Sequence, residues 1–420
     1  MKILIVNGYV RENKGDAALM SVLCSELARV FPGSEIVISS QEDIVACPTF
    51  EGRRNVGSFT DYVLGPGMGR PRRALRLLVT LCLWALSRGG RRLIGALSAA
   101  LSETLRVKLQ AVVGADLVVS MGGGYLNAAG GIDGTLSLYL MLLPMMIAEG
   151  LTTCVVTAPQ SVGPFSNGLQ RWMVRRTLNR VELLELREDI STGIVRDLAI
   201  TAPVARYPDM GFVFGGGRAP DVRDILELPD DRLLVGVTVR QWLAPEAQAR
   251  YERAMAATID SLCARHGVVA VLIPQVTSSV GNDDDRIVNR RVYALLADRA
   301  QARMIDGDLD HQQIKAVYGG LDVLIGTRFH SVIFALTSYV PAIAVAYEHK
   351  TTGIMRDLGL EQWVVDIRDV DEESLVERAE SLLREAGTYR CYLEDVLPAY
   401  VAKARQAGEM MAEAYLRSQA

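Results

Sequence analysis

The sequence predicts an α/β protein that consists of two doubly wound domains with parallel sheets. Short apolar runs alternate with segments in which apolar residues have helical spacing, and this alternation is typical of βαβ units. The run KILIVN at 2–7 is a buried-strand pattern, and DAALMSVLCSELARVF at 16–31 has the spacing of an amphipathic helix. A length of 420 residues exceeds what one ordinary core uses and favours two domains.

Further strand patterns follow in both halves of the chain. They are SEIVISS, ADLVVSMGGG, LTTCVVTAPQ and RVELLELRE, and then RLLVGVTVR, GVVAVLIPQ, ARMIDG, LDVLIGTR and VPAIAVAYEHK. Between the two series, residues 203–232 contain GGGRAP and LPDD and are predicted to be a linker. We predict Rossmann-like domains over 1–205 and 206–365 and closing helices over 366–420. This arrangement is GT-B-like, with a ligand cleft between the domains, and it hosts several activities.

Composition excludes several classes of protein. Half of the residues are hydrophobic and 22% are charged, which is typical of a globular chain, and the formal net charge of −4 gives no indication of nucleic-acid binding. The six cysteines include no CxxC pair, which disfavours a zinc site and a disulfide framework and fits a reducing cytoplasm. The N-terminal apolar run is only as long as a strand, and no run reaches about 18 apolar residues, so we expect neither a signal peptide nor a transmembrane helix.

Residues 69–111 interrupt the alternation with short apolar runs that arginines flank. No acidic residue occurs between Asp61 and Glu103. The flanking arginines are Arg70, Arg72, Arg73, Arg76, Arg88, Arg91 and Arg92. One interpretation is a pair of interfacial helices that contact an anionic membrane through residues 69–93. The other is an inserted helical hairpin that packs on the sheet and exposes a solvated basic edge, and the sequence does not separate the two.

Candidate ligand-binding residues follow the strands of the second series, because ligands of open α/β sheets bind beyond the carboxyl ends of strands. The strand LDVLI ends at GTRFHS, which contains Arg328 and His330, and the next strand ends at EHK, which contains Lys350. Whether this loop is still extended or already helical, it is suited to an anion. A lone arginine or histidine is more often a structural salt bridge or a helix cap. Three cationic groups at successive strand ends instead indicate an anion site.

Arg187 follows a strand of the first series, where ELLEL runs into REDIST. We expect Asp189 or Ser191 to cap the helix that follows, and we expect Arg187 to face the cleft from the first domain. A surface salt bridge with Glu188 or Asp189 is the alternative.

Glycine and polar residues end the other strands of the first domain and suit a sugar acceptor. Glycines such as Gly123 let a ligand approach the backbone closely. Asn127, Gln160 and Ser161 offer hydrogen bonds to hydroxyl groups, although such residues also shape turns. Asp16 begins a predicted helix, and the sequence supports a capping role and a role in the site equally.

No nucleotide, metal or hydrolase signature accompanies these residues. The glycines at 122–124 do not form GxGxxG and no acidic residue stands where a ribose reader would, so a dinucleotide site is not expected. P-loop, HExxH, GxSxG and kinase signatures are also missing from the sequence. The run NDDDR at 282–286 is better explained as a helix start, where acidic residues favour the dipole. We therefore expect no metal and no cofactor.

The strand-end motifs, taken together, resemble those of the polysaccharide pyruvyl transferase family. They are NKGDAAL at 13–19, MGGGYLN at 121–127, APQSVGPF at 158–165, LREDIS at 186–191, GTRFHSVIFAL at 326–336 and PAIAVAYEHKTTGIMRDLGL at 341–360. Each motif is weak, but their order and spacing are specific. The resemblance extends from residue 1 to about 365, and the arginine-rich insert is not part of it.

This resemblance implies a GT-B-like enzyme that moves the pyruvyl group of phosphoenolpyruvate onto two hydroxyls of a sugar, forming a cyclic ketal. The expected acceptor is a sugar of a cell-surface polysaccharide or of its lipid-linked precursor. The cysteine pattern favours the cytoplasm, and the basic apolar insert is compatible with a lipid-linked acceptor and with a place at the inner face of the membrane. The positions of Arg187, His330 and Lys350 match the family's phosphoenolpyruvate-binding residues, and Arg328 stands beside His330 in the same motif.

The chemistry gives a physical reason for these residue types. Arginine can bind a carboxylate or a phosphate in a bidentate way, and lysine adds a point charge. Ketal formation also needs a general acid and a general base, and histidine titrates in the useful range. We hypothesise that His330 contacts the phosphate or acts as the acid, and that Asp16 is the base near the acceptor hydroxyl.

Two other functions compete with this one. A GT-B glycosyltransferase would need an acidic residue that reads the ribose of a nucleotide sugar, and Glu348 is a candidate for that role. Lys350 and the Arg328/His330 pair suit a compact dianion better. A non-catalytic scaffold that binds glycans at the membrane would show degenerate strand ends, whereas these strand ends retain Arg, His and Lys.

Overall fold

The chain forms two compact units in a computed structural model. The described residues are 1–65, 67–128, 130–216, 222–226, 228, 232–278 and 283–420. The first unit comprises Met1–Val10, Leu19–Met210 and Lys403–Ala420, and the second comprises Arg11–Ala18 and Gly211–Ala402. The second unit therefore includes Arg11–Ala18, which the predicted boundaries place in the first domain. The first unit includes Lys403–Ala420, which they place in the closing helices.

The first unit is built on a parallel sheet with helices on its faces. Its strands are β1 (Lys2–Gly8), β2 (Glu35–Ser40), β3 (Thr49–Phe50), β4 (Arg53–Arg54), β5 (Leu117–Ser120), β6 (Gly123–Ala128), β7 (Cys154–Phe165), β8 (Leu183–Leu186) and β9 (Val204–Arg206). In the described residues the sheet order is β2-β1-β5-β7-β8-β9, with β6 also paired to β7, while β3 and β4 form a separate antiparallel pair.

Helices surround this sheet, and the first of them continues from the second unit into the first. They are α1 (Lys14–Val30), α2 (Phe59–Leu64), α3 (Arg70–Ser87), α4 (Arg91–Ser98), α5 (Glu103–Val113), α6 (Gly131–Gly150), α7 (Gly168–Leu178) and α8 (Asp189–Asp197). The insert at 69–111 thus contains three helices, α3, α4 and most of α5, and not the two helices of a hairpin.

The second unit repeats the same construction. Its strands are β10 (Leu234–Thr238), β11 (Val269–Leu272), β12 (Ala302–Met304), β13 (Val323–Gly326), β14 (Ala342–Ala346) and β15 (Val364–Asp366). Its helices are α9 (Val222–Leu226), α10 (Pro245–His266), α11 (Asp285–Leu295), α12 (His311–Gly319), α13 (Phe329–Leu336), α14 (His349–Asp357) and α15 (Glu372–Gln419), the last of which ends in the first unit. The strands of the described residues run parallel in the order β12-β11-β10-β13-β14-β15.

The predicted class, parallel doubly wound α/β, is confirmed, and several local predictions are corrected. The stretch 203–232 contains β9, a 3₁₀ turn over Met210–Val213 and α9, so it is not a plain linker; its residues 217–221, 227 and 229–231 lie outside the described residues. The predicted closing helices are one long helix, α15. The run ADLVVSMGGG contains the strand β5 and the start of a second strand, β6, and β7 continues beyond the predicted strand LTTCVVTAPQ to Phe165.

Helix α6 is the one helix in the described part of the chain whose length and composition would suit a membrane span. Its apolar window is 56% buried, and side chains such as Leu138, Leu142 and Met146 lie in the core of the first unit. The helix packs against α3 and α7. Its apolar character is therefore accounted for by burial within the unit.

The far end of α13 is held by a buried lysine of α12. Lys315 is 4% exposed, and its ammonium group donates to the Phe334 carbonyl at 2.7 Å and to the hydroxyls of Thr337 and Ser338 at 2.6 and 2.7 Å. A lysine at this place satisfies carbonyls that the end of a helix leaves without partners. Burial lowers the pKa of Lys315 to about 7.

This lowered pKa predicts a stability difference that depends on pH. Between pH 7 and about 10, the unfolded chain binds more protons at Lys315 than the folded chain, so this residue makes the free energy of unfolding rise with pH. Lys315→Met removes the effect. We therefore expect urea unfolding to show that the wild-type protein gains stability relative to Lys315→Met as the pH rises through this window. Lys403→Met, at an exposed position of α15, is the control and should follow the wild type; a Lys315→Met difference independent of pH would contradict the prediction.

Candidate functional site

The carboxyl ends of β10, β13 and β14 lie side by side in the second unit, because these strands are neighbours in a parallel sheet. Buried hydroxyls fix the segment that follows β13. The Thr238 hydroxyl accepts the Thr327 backbone N–H at 2.9 Å and lies 2.9 Å from the Ser331 hydroxyl. The Tyr251 hydroxyl lies 2.7 Å from the Thr327 hydroxyl. These contacts hold the start of α13 against the end of β10.

Arg328 occupies the N-cap position of α13 and is 5% exposed. Its Nε donates to both carboxylate oxygens of Asp285, at 3.0 and 3.1 Å, and its Nη2 lies 2.5 Å from an oxygen of Asp283. Asp285 also accepts the backbone N–H groups of Gln275 and Val276, each at 3.0 Å. Arg328 therefore makes the structural salt bridge that was the alternative interpretation of this residue.

The two carboxylates titrate differently because they are buried to different depths. Burial raises the pKa of Asp285, which is 1% exposed, and the Arg328 charge and hydrogen bonds oppose that shift. Burial also acts on Asp283, but the hydrogen bond and charge of Arg328 outweigh it and lower the pKa of Asp283. The expected helix start is confirmed, with Asp284 as the N-cap of α11; residue 282 of the same motif lies outside the described residues.

His330 is the second residue of α13, and its ring lies against the N-terminal segment Arg11–Ala18. A Cβ atom built on Gly15 would lie 2.0 Å from the His330 Nδ1 atom and 2.3 Å from its Cγ atom. Any side chain larger than hydrogen at position 15 would collide with the imidazole. Glycine at this place thus permits a close approach of backbone and ring.

The segment Arg11–Ala18 is held against the second sheet by backbone contacts and by the ion pair of Lys14 with Asp308. Asn13 forms an antiparallel bridge with Val276, and the Lys14 backbone N–H donates to the Gln275 carbonyl at 3.1 Å. The Lys14 ammonium lies 2.8 Å from a carboxylate oxygen of Asp308, and this hydrogen bond lowers the pKa of Asp308. Two residues far apart in sequence, Gly15 and His330, are brought together by these contacts.

Asp16 lies in the first turn of α1 and is half-buried. Its backbone N–H donates to the Asn13 side chain at 3.4 Å, so the cap of α1 is Asn13. Because Asp16 directly follows Gly15, the structure places Asp16 and His330 at the same edge of the second sheet.

Lys350 is the second residue of α14, at the end of the strand that neighbours β13. Its ammonium group lies 2.7 Å from a carboxylate oxygen of Glu348 and 5.4 Å from the ring centre of Phe329 on α13. Burial acts to raise the pKa of Glu348, but the Lys350 charge and hydrogen bond outweigh it, so the pKa lies below its ordinary value. Lys350 is therefore close to the start of α13, as the adjacent strand ends imply.

Arg240 lies at the same strand ends as Arg328 and Lys350, and it was not among the residues predicted from sequence. It follows β10, and its guanidinium carbon lies 4.8 Å from the ring centre of Trp242 and 4.4 Å from that of Tyr347. Its Nη2 lies 3.8 Å from an oxygen of Asp283. The sequence carries a signal for Arg240, because TVR ends a predicted strand in the same way as the strand ends that contain Arg328 and Lys350.

Two helix N-termini open at this edge of the sheet. The N-cap residues of α13 and α14 are Arg328 and Glu348, and neither side chain makes a capping hydrogen bond. The first-turn N–H groups and the helix dipole favour an anion at such an end. Among the described residues, no cluster of three or more histidine, cysteine, aspartate or glutamate side chains is arranged to hold a metal ion.

Arg187 belongs to the first unit and is 2% exposed. Its Nε donates to the Ser161 hydroxyl at 2.9 Å, and its Nη1 lies 2.5 Å from a carboxylate oxygen of Asp209. The alternative, a salt bridge at the surface, does not fit the structure, because Arg187 is buried and pairs with Asp209. Glu188 is the N-cap of α8, and Asp189 pairs with Arg206. The predicted cap, Asp189 or Ser191, is therefore wrong.

The remaining first-unit candidates lie on β6 and β7. Gly123 pairs with Gln160 across the two strands, so the structure brings these two residues together. Gln160 is fully buried, and neither of its amide atoms has a hydrogen-bond partner within the described residues. Asn127 is exposed and donates to the Gly124 carbonyl. A buried amide without partners is costly, which singles out Gln160 among these polar groups.

The Arg328–Asp285 contact predicts a large effect of a small substitution. Asp285→Asn removes the charge that pairs with the buried guanidinium while keeping the size of the side chain. We expect it to lower the free energy of unfolding by about 3 kcal/mol, because a buried charge loses its compensation. Urea unfolding measures this. Asp306→Asn, which removes a carboxylate that pairs with Arg290 at the surface, should cost less than about 1 kcal/mol; equal losses in the two variants would contradict the prediction.

Comparison with known proteins places this chain in a family. A model of the family described as polysaccharide pyruvyl transferase matches residues 13–349. The amylovoran biosynthesis protein AmsJ of Erwinia amylovora is 25% identical over 264 residues, which cover 57% of this chain and 61% of that protein. The chain thus spans about three fifths of the length of this relative.

Similar solved structures include three proteins at low identity. A putative UDP-N-acetylglucosamine 2-epimerase from Listeria monocytogenes is 11% identical with a TM-score of 0.62, over 96% of this chain and 94% of that chain. MnaA of S. aureus, in a co-structure with UDP, is 10% identical with a TM-score of 0.59, over 94% and 91%. The α,α-trehalose 6-phosphate synthase of Burkholderia multivorans is 15% identical with a TM-score of 0.56, over 100% and 97%.

These structural similarities bear on the fold alone, and they confirm the predicted GT-B-like class. The family match is more specific, because it extends over most of the chain and includes Gly15, Arg187, His330 and the start of α14. The chain therefore belongs to the polysaccharide pyruvyl transferase family.

Proposed function

We propose that the protein transfers the pyruvyl group of phosphoenolpyruvate to two hydroxyls of a saccharide, forming a ketal and releasing phosphate. Family membership supports this reaction, and the similarity to an amylovoran biosynthesis protein supports an exopolysaccharide as the final product. The acceptor that we propose is this polysaccharide or its lipid-linked precursor. The observation that carries the proposal is the pair of helix N-termini without side-chain caps, at the ends of β13 and β14, which bear His330 and Lys350.

Phosphoenolpyruvate suits this edge of the sheet because it is small and carries both a carboxylate and a phosphate. The first-turn N–H groups of α13 and α14 can donate to anionic oxygens, and Lys350 adds a positive charge. Arg240, stacked between two aromatic rings, is a second cation that we assign to donor binding. No metal is required for this mode of binding.

In this proposal Arg328 does not bind the donor, although its residue type and position suggested that it would. Its guanidinium is engaged by Asp283 and Asp285, so we assign it as a positioning residue that holds the start of α13. Arg187 is assigned to the donor on the family resemblance, with its guanidinium oriented by Ser161 and Asp209. For the acceptor, we retain Gly123, Asn127, Gln160 and Ser161 on the same resemblance.

The reaction requires two proton transfers and one bond cleavage. The methylene carbon of phosphoenolpyruvate gains a proton and becomes a methyl group, and the first hydroxyl attacks the central carbon. The bond between that carbon and the phosphate oxygen then breaks, and the second hydroxyl closes the ketal. Of the two hydroxyl protons, one restores the acid that protonated the methylene carbon, and the other leaves with phosphate. We propose His330 as the acid or the phosphate contact and Asp16 as the base.

The proposed donor can be tested by binding and by product mass. Phosphoenolpyruvate should raise the melting temperature in a concentration-dependent way, and nucleotide sugars should not. With a panel of free and lipid-linked saccharides, one acceptor should gain the mass of pyruvate less water as phosphate is released. Stabilisation by nucleotide sugars alone, with transfer of a sugar in place of a ketal, would identify a glycosyltransferase and overturn the proposal.

The two roles proposed for His330 predict different kinetics. If the imidazole delivers the proton, His330→Gln should lower kcat by about 100-fold or more and remove one limb of the pH–rate profile. If it only contacts the phosphate, the same variant should mainly raise KM for phosphoenolpyruvate. His266→Gln, near Glu380 at the end of α10, is the control and should match the wild type. Unchanged kcat and KM in His330→Gln would exclude both roles.

A further inference from the structure

The outward face of α3 is apolar along most of the helix. Leu75, Leu78, Leu81 and Leu86 are 62%, 57%, 38% and 41% exposed. Their spacing places all four on one side of the helix, while Leu83 faces the core and is 3% exposed. A surface helix of a globular protein normally presents polar residues on its outer side. Helix α3 instead exposes leucines to solvent there.

This face continues into an apolar groove between α3, α6 and α7. The groove has a volume of about 700 Å³. Its lining includes Leu77, Leu81, Trp84, Ile132, Leu169 and Trp172. Ile132 is 85% exposed, and Leu169 and Trp172 are 56% and 53% exposed, so the rim of the groove is apolar as well. Leu81 belongs to both features, which makes them one surface; contiguous apolar surfaces of this kind mark interaction sites.

Arginines surround this surface. Arg70, Arg72 and Arg73 begin α3 and are exposed, and Arg88 follows its last turn. On α7, exposed Arg171 and Arg175 flank Trp172, and Arg176 lines the groove with its guanidinium carbon 5.7 Å from the Trp84 ring centre.

Acidic residues are few on the same helices. The sequence of α3 and α4 contains none, and neither does that of α7. On α6, Asp133 is exposed, and Glu149 lies 3.8 Å from Arg176 and also pairs with Arg180. The surface is therefore apolar at its centre and positively charged around it.

Not every arginine of the insert is available to a partner. Arg76 donates to the Tyr62 carbonyl at 2.6 Å, and Arg91 donates to the carbonyls of Val113 and Ala115 at 2.8 and 3.0 Å. These contacts fasten the insert to the first unit. The insert is thus held in place by part of its arginines while the others remain at the surface.

We propose that this surface docks on an anionic phospholipid bilayer. A bilayer supplies both components that the surface matches, a hydrocarbon interior for the leucines and a plane of phosphates for the arginines. The groove would receive an acyl chain, since its volume lies within the range of roughly 300–1,000 Å³ that is typical of ligand pockets. A second copy of the chain fits less well, because a symmetric contact would place like-charged arginine clusters against each other.

Vesicle co-flotation of the full chain tests this inference without phosphoenolpyruvate or an acceptor, so it is independent of the proposed reaction. The chain should bind vesicles of phosphatidylcholine with phosphatidylglycerol, bind pure phosphatidylcholine vesicles weakly, and lose binding as salt rises. The double variant Leu75→Glu with Leu78→Glu should weaken binding at least about tenfold, because charged side chains replace those that enter the interface. Brominated lipid should quench tryptophan fluorescence, and Trp172→Phe should reduce the quenching.

The matched control is the double variant Leu295→Glu with Leu416→Glu, which changes leucines that are 48% and 65% exposed on other helices. It should bind vesicles like the wild type, and both double variants should keep the wild-type melting temperature. The inference is overturned if anionic vesicles are not bound at low salt, or if the two double variants bind equally. It is also overturned if light scattering shows a dimer that the Leu75→Glu, Leu78→Glu variant converts to a monomer, since the surface would then contact a second copy.

Discussion

The buried ion pair between Arg328 and Asp285 is the contact on which the candidate site depends. Asp285 accepts two backbone N–H groups from the segment after β11 while it pairs with the guanidinium at the start of α13. One carboxylate therefore joins three segments of the second unit. Burying two charges is costly unless hydrogen bonds satisfy both of them. Here two backbone N–H groups bond Asp285, and Asp283 bonds Arg328. The start of α13 is therefore fixed in place.

The N-terminal segment Arg11–Ala18 completes the same edge from a distant part of the chain. It is held by a backbone bridge to Val276 and by the pair of Lys14 with Asp308. The result places Gly15 against the His330 ring, and Asp16 is the next residue of the chain. Asp16 and His330, the proposed base and acid, therefore belong to the same compact unit. Their relative position then depends on contacts within that unit, and proton transfer requires such a fixed geometry.

The first unit combines an α/β core with an insert whose helix α3 exposes apolar side chains to solvent. Most apolar side chains of α6 are buried in the core, whereas α3 is apolar on the side that faces solvent. Length and composition single out α6 as the more apolar helix among the described residues, but they do not say which apolar side chains are buried. Their burial distinguishes them, and it assigns α6 to the core and α3 to an outer surface. The proposed docking of that surface on a bilayer would bring the protein to the lipid-linked form of its proposed acceptor.

The sequence by itself determined the fold class and most of the strands, because continuous apolar runs bounded by glycine and polar residues have few alternatives to buried parallel strands. It also located His330 and Lys350 at adjacent strand ends, since strands that follow each other in βαβ units are usually neighbours in the sheet. Only the tertiary structure decided that Arg328 is a structural pair with Asp285 and that Gly15 meets His330. These contacts join residues tens to hundreds of positions apart, and side-chain pairing over such separations depends on packing, which residue type and spacing do not encode.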